Sequence, residues 1–365
     1  KVLADGAGGR LFIADSNHNR IVIAGLDGKL LAVIGSGATG AKDGDFASAQ
    51  FNQPQGMALD GETLYVADTE NHLIRKVDLE AKTVTTIAGT GRQNRDRPPV
   101  GKMPAARAIA LSSPWDLWFH KGDLFVAMAG AHQIWKMRLE RAILGPYAGN
   151  GREDIVDGPL LSKRPYQPGY SSFAQPSGLT SDGTWLFVAD SEGSSIRAVP
   201  FDPRKEVKTV VSTSKLPSAR LFTFGDVDGA AQQARLQHAL GVTFWEGRLY
   251  VADTYNSKIK VVDPASGETR TLAGDGTPGL SDSPPRFNEP AGISASAGKL
   301  FVADTNNHLI RVLDLADKKV TTLTIAGLQA PKAAAARESA RTSPGVTEQK
   351  LAPASVKPEG GAIRL

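Results

Sequence analysis

Pairs of short alternating apolar runs, each joined by a polar turn, recur along the chain. In LYVADTENHLIRKVD, from Leu64, apolar residues alternate within both runs, and Asp, Thr, Glu and Asn fill the turn. Such a pair predicts a β-hairpin. Five further copies begin at Leu11, Leu124, Leu186, Leu249 and Leu300. A pattern that recurs six times predicts a repeat architecture.

Each copy ends its first run on an anchor residue, which is Asp in five copies and Met128 in the third. The five aspartates are Asp15, Asp68, Asp190, Asp253 and Asp304. Successive anchors are 53, 60, 62, 63 and 51 residues apart. This spacing indicates a structural unit of fixed size plus a connector of variable length.

Two more apolar runs flank most hairpins. The preceding run commonly opens with Pro, as in QPQGMAL and EPAGISA, and the following run ends in Gly, as in VTTIAG. Proline suits the first residue of a strand, where no ladder donor is needed. Four antiparallel strands in each of six repeats predict an all-β, six-bladed β-propeller over residues 1–327.

The string Asn-His-Leu occurs at Asn71–Leu73 and again at Asn307–Leu309. With the preceding QPQGMAL run, it resembles the NHL repeat, a family of propeller-forming sequences. The long connectors from Gly35 and Gly274 resemble those of the subfamily in which a thioredoxin-like domain precedes the propeller. The resemblance implies that this sequence is part of a longer protein, in which any thiol redox activity would belong to the thioredoxin-like domain.

Composition changes after the last repeat. Residues 328–365 are rich in Ala, Pro and charge, which predicts a linker with one short helix over 332–341 and a further β segment at 362–365. The sequence has no Cys, so disulfides and thiolate metal sites are excluded within it. No apolar run approaches the roughly 18 residues that a membrane helix needs, so no membrane association is expected.

The net charge of +4 does not by itself indicate nucleic-acid binding. The segment 331–365 holds six Lys and Arg against three Glu, which leaves 36 basic and 35 acidic residues in the first 330. One connector concentrates positive charge, at Arg92, Arg95, Arg97, Lys102 and Arg107. We expect a solvated loop there, with a phosphate-bearing ligand as the alternative, since the loop lacks the aromatic residues that stack bases.

The repeated polar residues have structural interpretations first. Each anchor aspartate can accept N–H groups of its own turn. Basic side chains recur seven positions after the anchor, where we expect them to bridge to a neighbouring blade or to cover its apolar surface with their aliphatic stems. Histidine recurs four positions after it, but equivalent positions are spread around the ring, so no metal is expected. The basic residues of this set are Arg75, Arg197, Lys260 and Arg311. The histidines are His72, His132 and His308.

The residue before the first strand of each blade should stand near the mouth of the central channel. These mouth residues are the first candidates for binding a small ligand, and they are Gln53, Ser113, Gln175, His238 and Glu289. They include a single acidic residue, which departs from the metal sites of propeller enzymes. No catalytic residue and no cofactor are therefore predicted.

The expected fold and the resemblance together imply a monomeric, non-catalytic binding scaffold for a protein or small ligand. Specificity should lie in the unrepeated connectors at 36–52, 91–113, 150–175 and 214–240. Two alternatives stay open: a metal-dependent hydrolase or lyase with an axial site, and an RNA-binding propeller. Bound metal at the axis would mark the first, and steep salt dependence of RNA affinity would mark the second.

Overall fold

The computed structural model describes residues 1–97 and 99–329, which form six blades around a ring. Blade 1 consists of β1 (Val2–Asp5), β2 (Arg10–Asp15), β3 (Arg20–Gly25) and β4 (Leu30–Ile34). Blade 2 consists of β5 (Gly44–Asp45), β6 (Pro54–Asp60), β7 (Thr63–Asp68), β8 (Leu73–Asp78) and β9 (Thr83–Ala88). Blade 3 consists of β10 (Pro114–His120), β11 (Asp123–Met128), β12 (Gln133–Arg138) and β13 (Ile143–Ala148).

The second half of the ring repeats this plan. Blade 4 consists of β14 (Gly158–Pro159), β15 (Pro176–Ser181), β16 (Trp185–Asp190), β17 (Ser195–Pro200) and β18 (Glu206–Val211). Blade 5 consists of β19 (Gly241–Trp245), β20 (Arg248–Asp253), β21 (Lys258–Val262) and β22 (Thr269–Ala273). After the small hairpin β23 (Ser281–Asp282) and β24 (Pro285–Arg286), blade 6 consists of β25 (Pro290–Ser296), β26 (Lys299–Asp304), β27 (Leu309–Asp314) and β28 (Val320–Leu323).

The predicted all-β, six-bladed propeller is confirmed, with consecutive antiparallel strands in each blade. Proline opens the first strand of four blades, as predicted. A 3-10 turn follows the second strand in five blades, such as Thr69–Asn71 in blade 2. No helix in residues 1–97 or 99–329 is long and apolar enough to cross a membrane. The predicted linker, helix and β segment of the tail lie almost entirely outside the described residues.

Apolar strand faces pack between neighbouring blades, and at three interfaces, between blades 1 and 2, 2 and 3, and 5 and 6, the hydroxyl that follows the anchor bonds the next blade. Thr69 Oγ1 donates to the carbonyl of Pro114 at the start of the next blade, at 2.7 Å. Thr254 does the same to Pro290 at 2.9 Å. Because these three hydroxyls are bonded across their interfaces, those blade pairs are held in register as well as packed.

The ring closes without a shared strand. Blade 1 packs directly against blade 6, where the Ala4 N–H donates to Ser294 Oγ at 2.9 Å. Residues 1–327 were predicted to form the propeller, and its last strand, β28, ends at Leu323. Ala326 instead pairs with Lys29 of blade 1 in a parallel bridge, so the segment after β28 crosses the closure.

The innermost strands approach each other closely because small residues line the axis. A Cβ on Gly241 would lie 2.2 Å from the Ala291 carbonyl oxygen of the next blade. At the corresponding place in blade 3 stands Asp116, which accepts from the Leu179 N–H at 2.9 Å and from Lys1 Nζ at 2.7 Å. Through these two bonds Asp116 links blade 3 to blade 4 and to the residue that precedes β1.

Candidate binding face

The connectors between blades, the 3-10 turns and the mouth residues lie on one side of the ring, here called the connector face. Backbone hydrogen bonds join each turn to its connector. Glu70 N donates to the Asn52 carbonyl at 3.2 Å, and Tyr255 N donates to the Gln237 carbonyl at 3.2 Å. Elements far apart in sequence therefore form one continuous surface, as expected from the repeat.

The anchor aspartates hold connectors in place. Asp68 Oδ1 accepts from the Asn52 N–H at 2.8 Å, and Oδ2 accepts from Asn71 Nδ2 and Arg75 Nη1, each at 2.8 Å. The expected bonds to N–H groups of its own turn are not formed. Burial raises the pKa of Asp68. Its role is in the fold, and the aspartates of blades 4, 5 and 6 likewise accept from their connectors at Ala174, Gln237 and Asn288.

The recurrent basic side chains pin the connector of their own blade, so the expected bridge to a neighbouring blade is wrong. Arg75 is fully buried, donates to the carbonyls of Gln50 and Lys42 and to Asp43, and lies 5.1 Å from the Phe51 ring centroid. Aspartate, arginine and phenylalanine together form what we call a latch. Latches with the same chemistry occur at Arg197 and Arg311, and Lys260 replaces the arginine in blade 5.

Blades 1 and 3 have other residues in place of the latch. Asp15 pairs with Arg20 at 2.7 Å and with His18 at 2.8 Å, since the usual basic position holds Val22. Blade 3 has Met128 and Trp135 in place of the charged pair, both buried. The latch is therefore a structural device that apolar residues can replace.

The repeated histidines accept backbone hydrogen bonds from mouth residues. His72 Nδ1 accepts from the Ser113 N–H at 3.1 Å, and His132 Nδ1 accepts from the Gln175 N–H at 3.3 Å. Asn19 Oδ1 has the same role toward Gln53 at 3.0 Å. Burial lowers the pKa of both His72 and His132, which favours the neutral acceptor. Within residues 1–97 and 99–329, no three potential ligands come together as a metal site would require.

All five mouth residues adopt the left-handed conformation, with φ between 48° and 62°. The structure spaces them around the ring and does not gather them into one cavity. Of the five, only His238 lines either of the two cavities described below. A small-ligand site at the channel mouth stays a prediction, and His238 is the mouth residue that borders a cavity.

The larger cavity, about 430 Å³, lies on the connector face between blades 4 and 5. We call it the aromatic pocket, and it is lined by Glu153, Glu192, Ser194, Leu221, Phe222, Phe224, Gln237, His238 and Tyr255. The rings of His238 and Tyr255 stack 4.4 Å apart with a 9° interplanar angle. Phe222 is 79% exposed and Tyr255 is 53% exposed. Large apolar surface is thus left in water at the rim.

The pocket carries net negative charge. Glu192 Oε1 lies 3.7 Å from His238 Nδ1, but burial lowers the pKa of His238 despite the nearby Glu192 and Glu289, so the ring is neutral at pH 7. In the described part of the chain, neither Glu153 nor Glu192 pairs with an arginine or lysine. A nearby cation is already engaged, since Arg220 pairs with Asp154 at 2.8 Å.

The smaller cavity, about 250 Å³, borders the basic connector. Arg95 and His132 line it together with Tyr166, which is 46% exposed. The other predicted basic residues, Arg92, Arg97, Lys102 and Arg107, are exposed, and none of the five forms an ion pair among the described residues. Tyr166 supplies an aromatic surface from the following connector, although the basic loop itself has none.

Sequence reasoning found His238 and missed the side chains around it. Tyr255 could have been singled out from the sequence by comparing the repeats. The equivalent residues, two positions after the other anchors, are Asn17, Glu70, Gly130, Glu192 and Asn306. A bulky aromatic at a position that is otherwise polar or glycine has no repeated structural role. Phe222 and Phe224 give a similar signal, because they stand in an unrepeated connector, in the range 214–240 where specificity was predicted.

Fold, latches and repeat spacing together define the class of protein. The family model for the NHL repeat matches residues 51–77 and 287–313, which cover the first three strands of blades 2 and 6. The chain is a six-bladed NHL-repeat β-propeller.

Among curated proteins, the chain is 44% identical to NHL repeat-containing protein 2 of Bos taurus over 352 residues. This match covers 88% of the chain and 47% of that protein, so the chain spans about half the length of the relative. The predicted upstream thioredoxin-like domain lies outside this sequence and stays a prediction.

Two solved structures share the fold at low sequence identity. A chain of the nidogen/laminin complex aligns with a TM-score of 0.56 and 15% identity, over 86% of this chain and 93% of its own. Virginiamycin B lyase from Staphylococcus aureus, solved with quinupristin, aligns with a TM-score of 0.50 and 15% identity, over 89% and 83%. The first is part of a complex and the second is a lyase, so the shared fold does not select between binding and catalysis.

Proposed function

We propose that the chain is a non-catalytic binding module that docks a protein partner on its connector face, centred on the aromatic pocket. The observation that carries the proposal is the exposed cluster of Phe222, Phe224 and Tyr255 around a concave site. Exposed aromatic residues beside a pocket are typical of the anchors of protein interfaces.

The placement of this cluster supports docking over a repeat-wide structural role. Phe222 and Phe224 belong to the connector between blades 4 and 5, which has no equivalent sequence in the other blades. Across the described residues, seven large apolar side chains are exposed, and three of them line this one pocket. Such a concentration leaves apolar area that a partner can bury.

The form of the channel also favours the connector face. At the level of Asp116 the axis is occupied by the ion pair with Lys1 and by the close approach of glycine-bearing strands. The 430 Å³ pocket, by contrast, is open on the connector face. This favours binding at the rim of the connector face over an axial catalytic site.

The experiment compares three baits made from the full chain: wild type, Phe222→Ser/Phe224→Ser, and Leu31→Ser. Leu31 is 49% exposed on β4 of blade 1, so it controls for loss of an exposed apolar side chain elsewhere. A protein captured by wild type is purified, and its Kd is measured against all three. We expect the double variant to weaken binding at least about tenfold and Leu31→Ser to leave it unchanged.

Equal affinity for all three baits would overturn the proposal. The double variant removes only exposed side chains, so its thermal unfolding should match that of wild type. A matching melt ensures that lost binding reports the surface and not the fold.

A further inference from the structure

We infer that the aromatic pocket recognises a cationic side chain, an arginine or lysine of the docked partner. This inference rests on the proposed function, and it specifies the chemistry of the site. It follows from the pairing of flat aromatic walls with uncompensated carboxylates in one concave site.

The aromatic walls supply faces on which a cation can lie. His238 and Tyr255 stack nearly parallel, so each ring covers one face of the other, while Tyr255 stays 53% exposed to solvent, and Phe222 and Phe224 come from the connector. A guanidinium or ammonium group over such rings is attracted by the negative π face. The long aliphatic stem of Lys or Arg would bury some of the apolar rim at the same time.

The carboxylates supply the complementary charge. Glu153 and Glu192 line the pocket, and in the described part of the chain neither is paired with Lys or Arg. The neighbouring Asp154 is already satisfied by two bonds from Arg220, at 3.1 and 2.8 Å. The pocket therefore presents negative charge that no cation in its own described lining neutralises.

The same protein already combines these groups in its latches. Arg197 lies 5.1 Å from the Phe173 ring centroid and bonds Asp157 at 3.1 Å and Asp190 at 3.5 Å. A cation between an aromatic face and carboxylates is thus a stable arrangement in this fold. In the aromatic pocket the ring and the acids are present, and the cation would come from the partner.

The test is a selection of random peptides displayed on phage against the full wild-type chain. Enriched peptides are synthesised, each also as an analogue with arginine replaced by citrulline or lysine by acetyl-lysine, which removes the charge and nearly keeps the shape. Their Kd values are measured against wild type, Phe222→Ser/Phe224→Ser, Glu153→Gln/Glu192→Gln and the charge control Glu140→Gln. Glu140 is exposed in the turn between β12 and β13.

We expect peptides with a basic residue whose affinity falls about tenfold in the neutral analogue and about tenfold with Glu153→Gln/Glu192→Gln. Glu140→Gln should change nothing. Phe224→Leu should weaken charged peptides more than their neutral analogues, because it keeps apolar contact and removes the π face.

Two results would overturn the inference, and they differ in what they say about docking. Peptides that need Phe222 and Phe224 but bind equally well as neutral analogues would remove the cationic specificity and leave the docking face standing. Peptides that bind the Phe222→Ser/Phe224→Ser variant as well as wild type would remove the docking face along with it.

Discussion

At the residue scale, the repeated aspartates and arginines are explained by what they bond. Arg75 and Asp68 are both fully buried, so each needs the other to offset the cost of leaving water. Both also hold the preceding connector, which gives the pair a geometric task besides charge compensation. Blade 3 shows that the charges are dispensable when the whole set changes, because the Ser112 N–H there contacts Met128 Sδ and Trp135 bonds Gln133.

Removing one charged residue of a latch should lower the free energy of unfolding more than replacing the whole latch. Arg75→Met leaves Asp68 buried without its cation, and we expect a loss of about 3–5 kcal/mol in the free energy of unfolding. The triple variant Asp68→Met/Leu73→Gln/Arg75→Trp copies blade 3 and should lose less. Denaturant unfolding of both variants measures the difference, and a triple variant less stable than Arg75→Met would contradict the account.

The histidines predict that their contribution to the stability of the fold decreases as the pH falls. Burial lowers the folded-state pKa of His72 and His132 below the ordinary value of 6.5. The unfolded chain therefore takes up protons first, so their contribution to stability is present above pH 6.5 and is lost as pH falls from 6.5 toward the lowered folded pKa. Protonation would also convert each acceptor nitrogen into a donor facing a backbone N–H.

His72→Asn/His132→Asn should remove that contribution and keep the hydrogen bonds, because Asn19 forms the same bond with the same left-handed backbone. Burial raises the pKa of Asp190 and Asp253 to about 7, which acts in the opposite direction. The measurement is therefore the difference in Tm between variant and wild type at pH 8 and at pH 5.5. We expect the Tm of the variant relative to wild type to be higher at pH 5.5 than at pH 8. The same Tm difference at both pH values would show that the two histidines do not cause the pH dependence.

At the scale of the element, the axial strands depend on glycine for their spacing. Gly178, Gly241 and Gly292 pair with alanines of the second strand at the same register position in blades 4, 5 and 6. A side chain there would meet the backbone of the next blade. Close approach at the axis is what allows six blades to complete a ring.

Gly241→Ala should destabilise the ring, because its Cβ would lie 2.2 Å from a backbone oxygen that belongs to blade 6. We expect a loss of about 1–3 kcal/mol, typical of overpacking. Gly225→Ala is the control, since its nearest contact would be an ordinary 3.5 Å to Arg235 Cβ. Chemical unfolding of both variants checks this, and equal stabilities would show that the axial strands have freedom to move apart.

The repeated elements could be predicted from the sequence, whereas the contacts made by the unrepeated connectors could not. The hairpins and leading prolines follow from short-range periodicity, so the strands around Leu64 and the six-blade count were predictable. The partners of Arg75 were not, because Lys42, Asp43 and Gln50 belong to a connector 25–33 residues earlier whose path no periodicity specifies. The aromatic pocket was found only at His238 for the same reason, since its other walls come from unrepeated connectors and turns.

At the scale of the whole molecule, the ring is closed by packing and by one crossing segment. Val2, Ile13 and Phe301 lie in one cluster across blades 1 and 6. The segment after β28 adds the Lys29–Ala326 bridge and a bond from Arg20 Nη1 to the Gln329 carbonyl at 2.7 Å. We call this segment, residues 324–329, the clasp.

Truncation should expose the contribution of the clasp. A chain ending at Leu323 loses the bridge and the Arg20 bond, whereas a chain ending at Gln329 keeps both. We expect the shorter chain to melt about 1–3 °C lower, since a loss of roughly 1–2 kcal/mol shifts Tm by only about 1–2 °C per kcal/mol in a ring of this size. Identical melting curves would show that blade packing alone closes the ring.

We propose that partners dock on the connector face at the aromatic pocket. The most direct test of this proposal is hydrogen exchange, followed by mass spectrometry, of the full chain with and without the partner recovered by the wild-type bait. The account predicts new protection in 214–240 and in the turn Thr254–Asn256, with little change in the outer strands of the other blades. Protection confined to the opposite face of the ring, or to the outer strands, would contradict it.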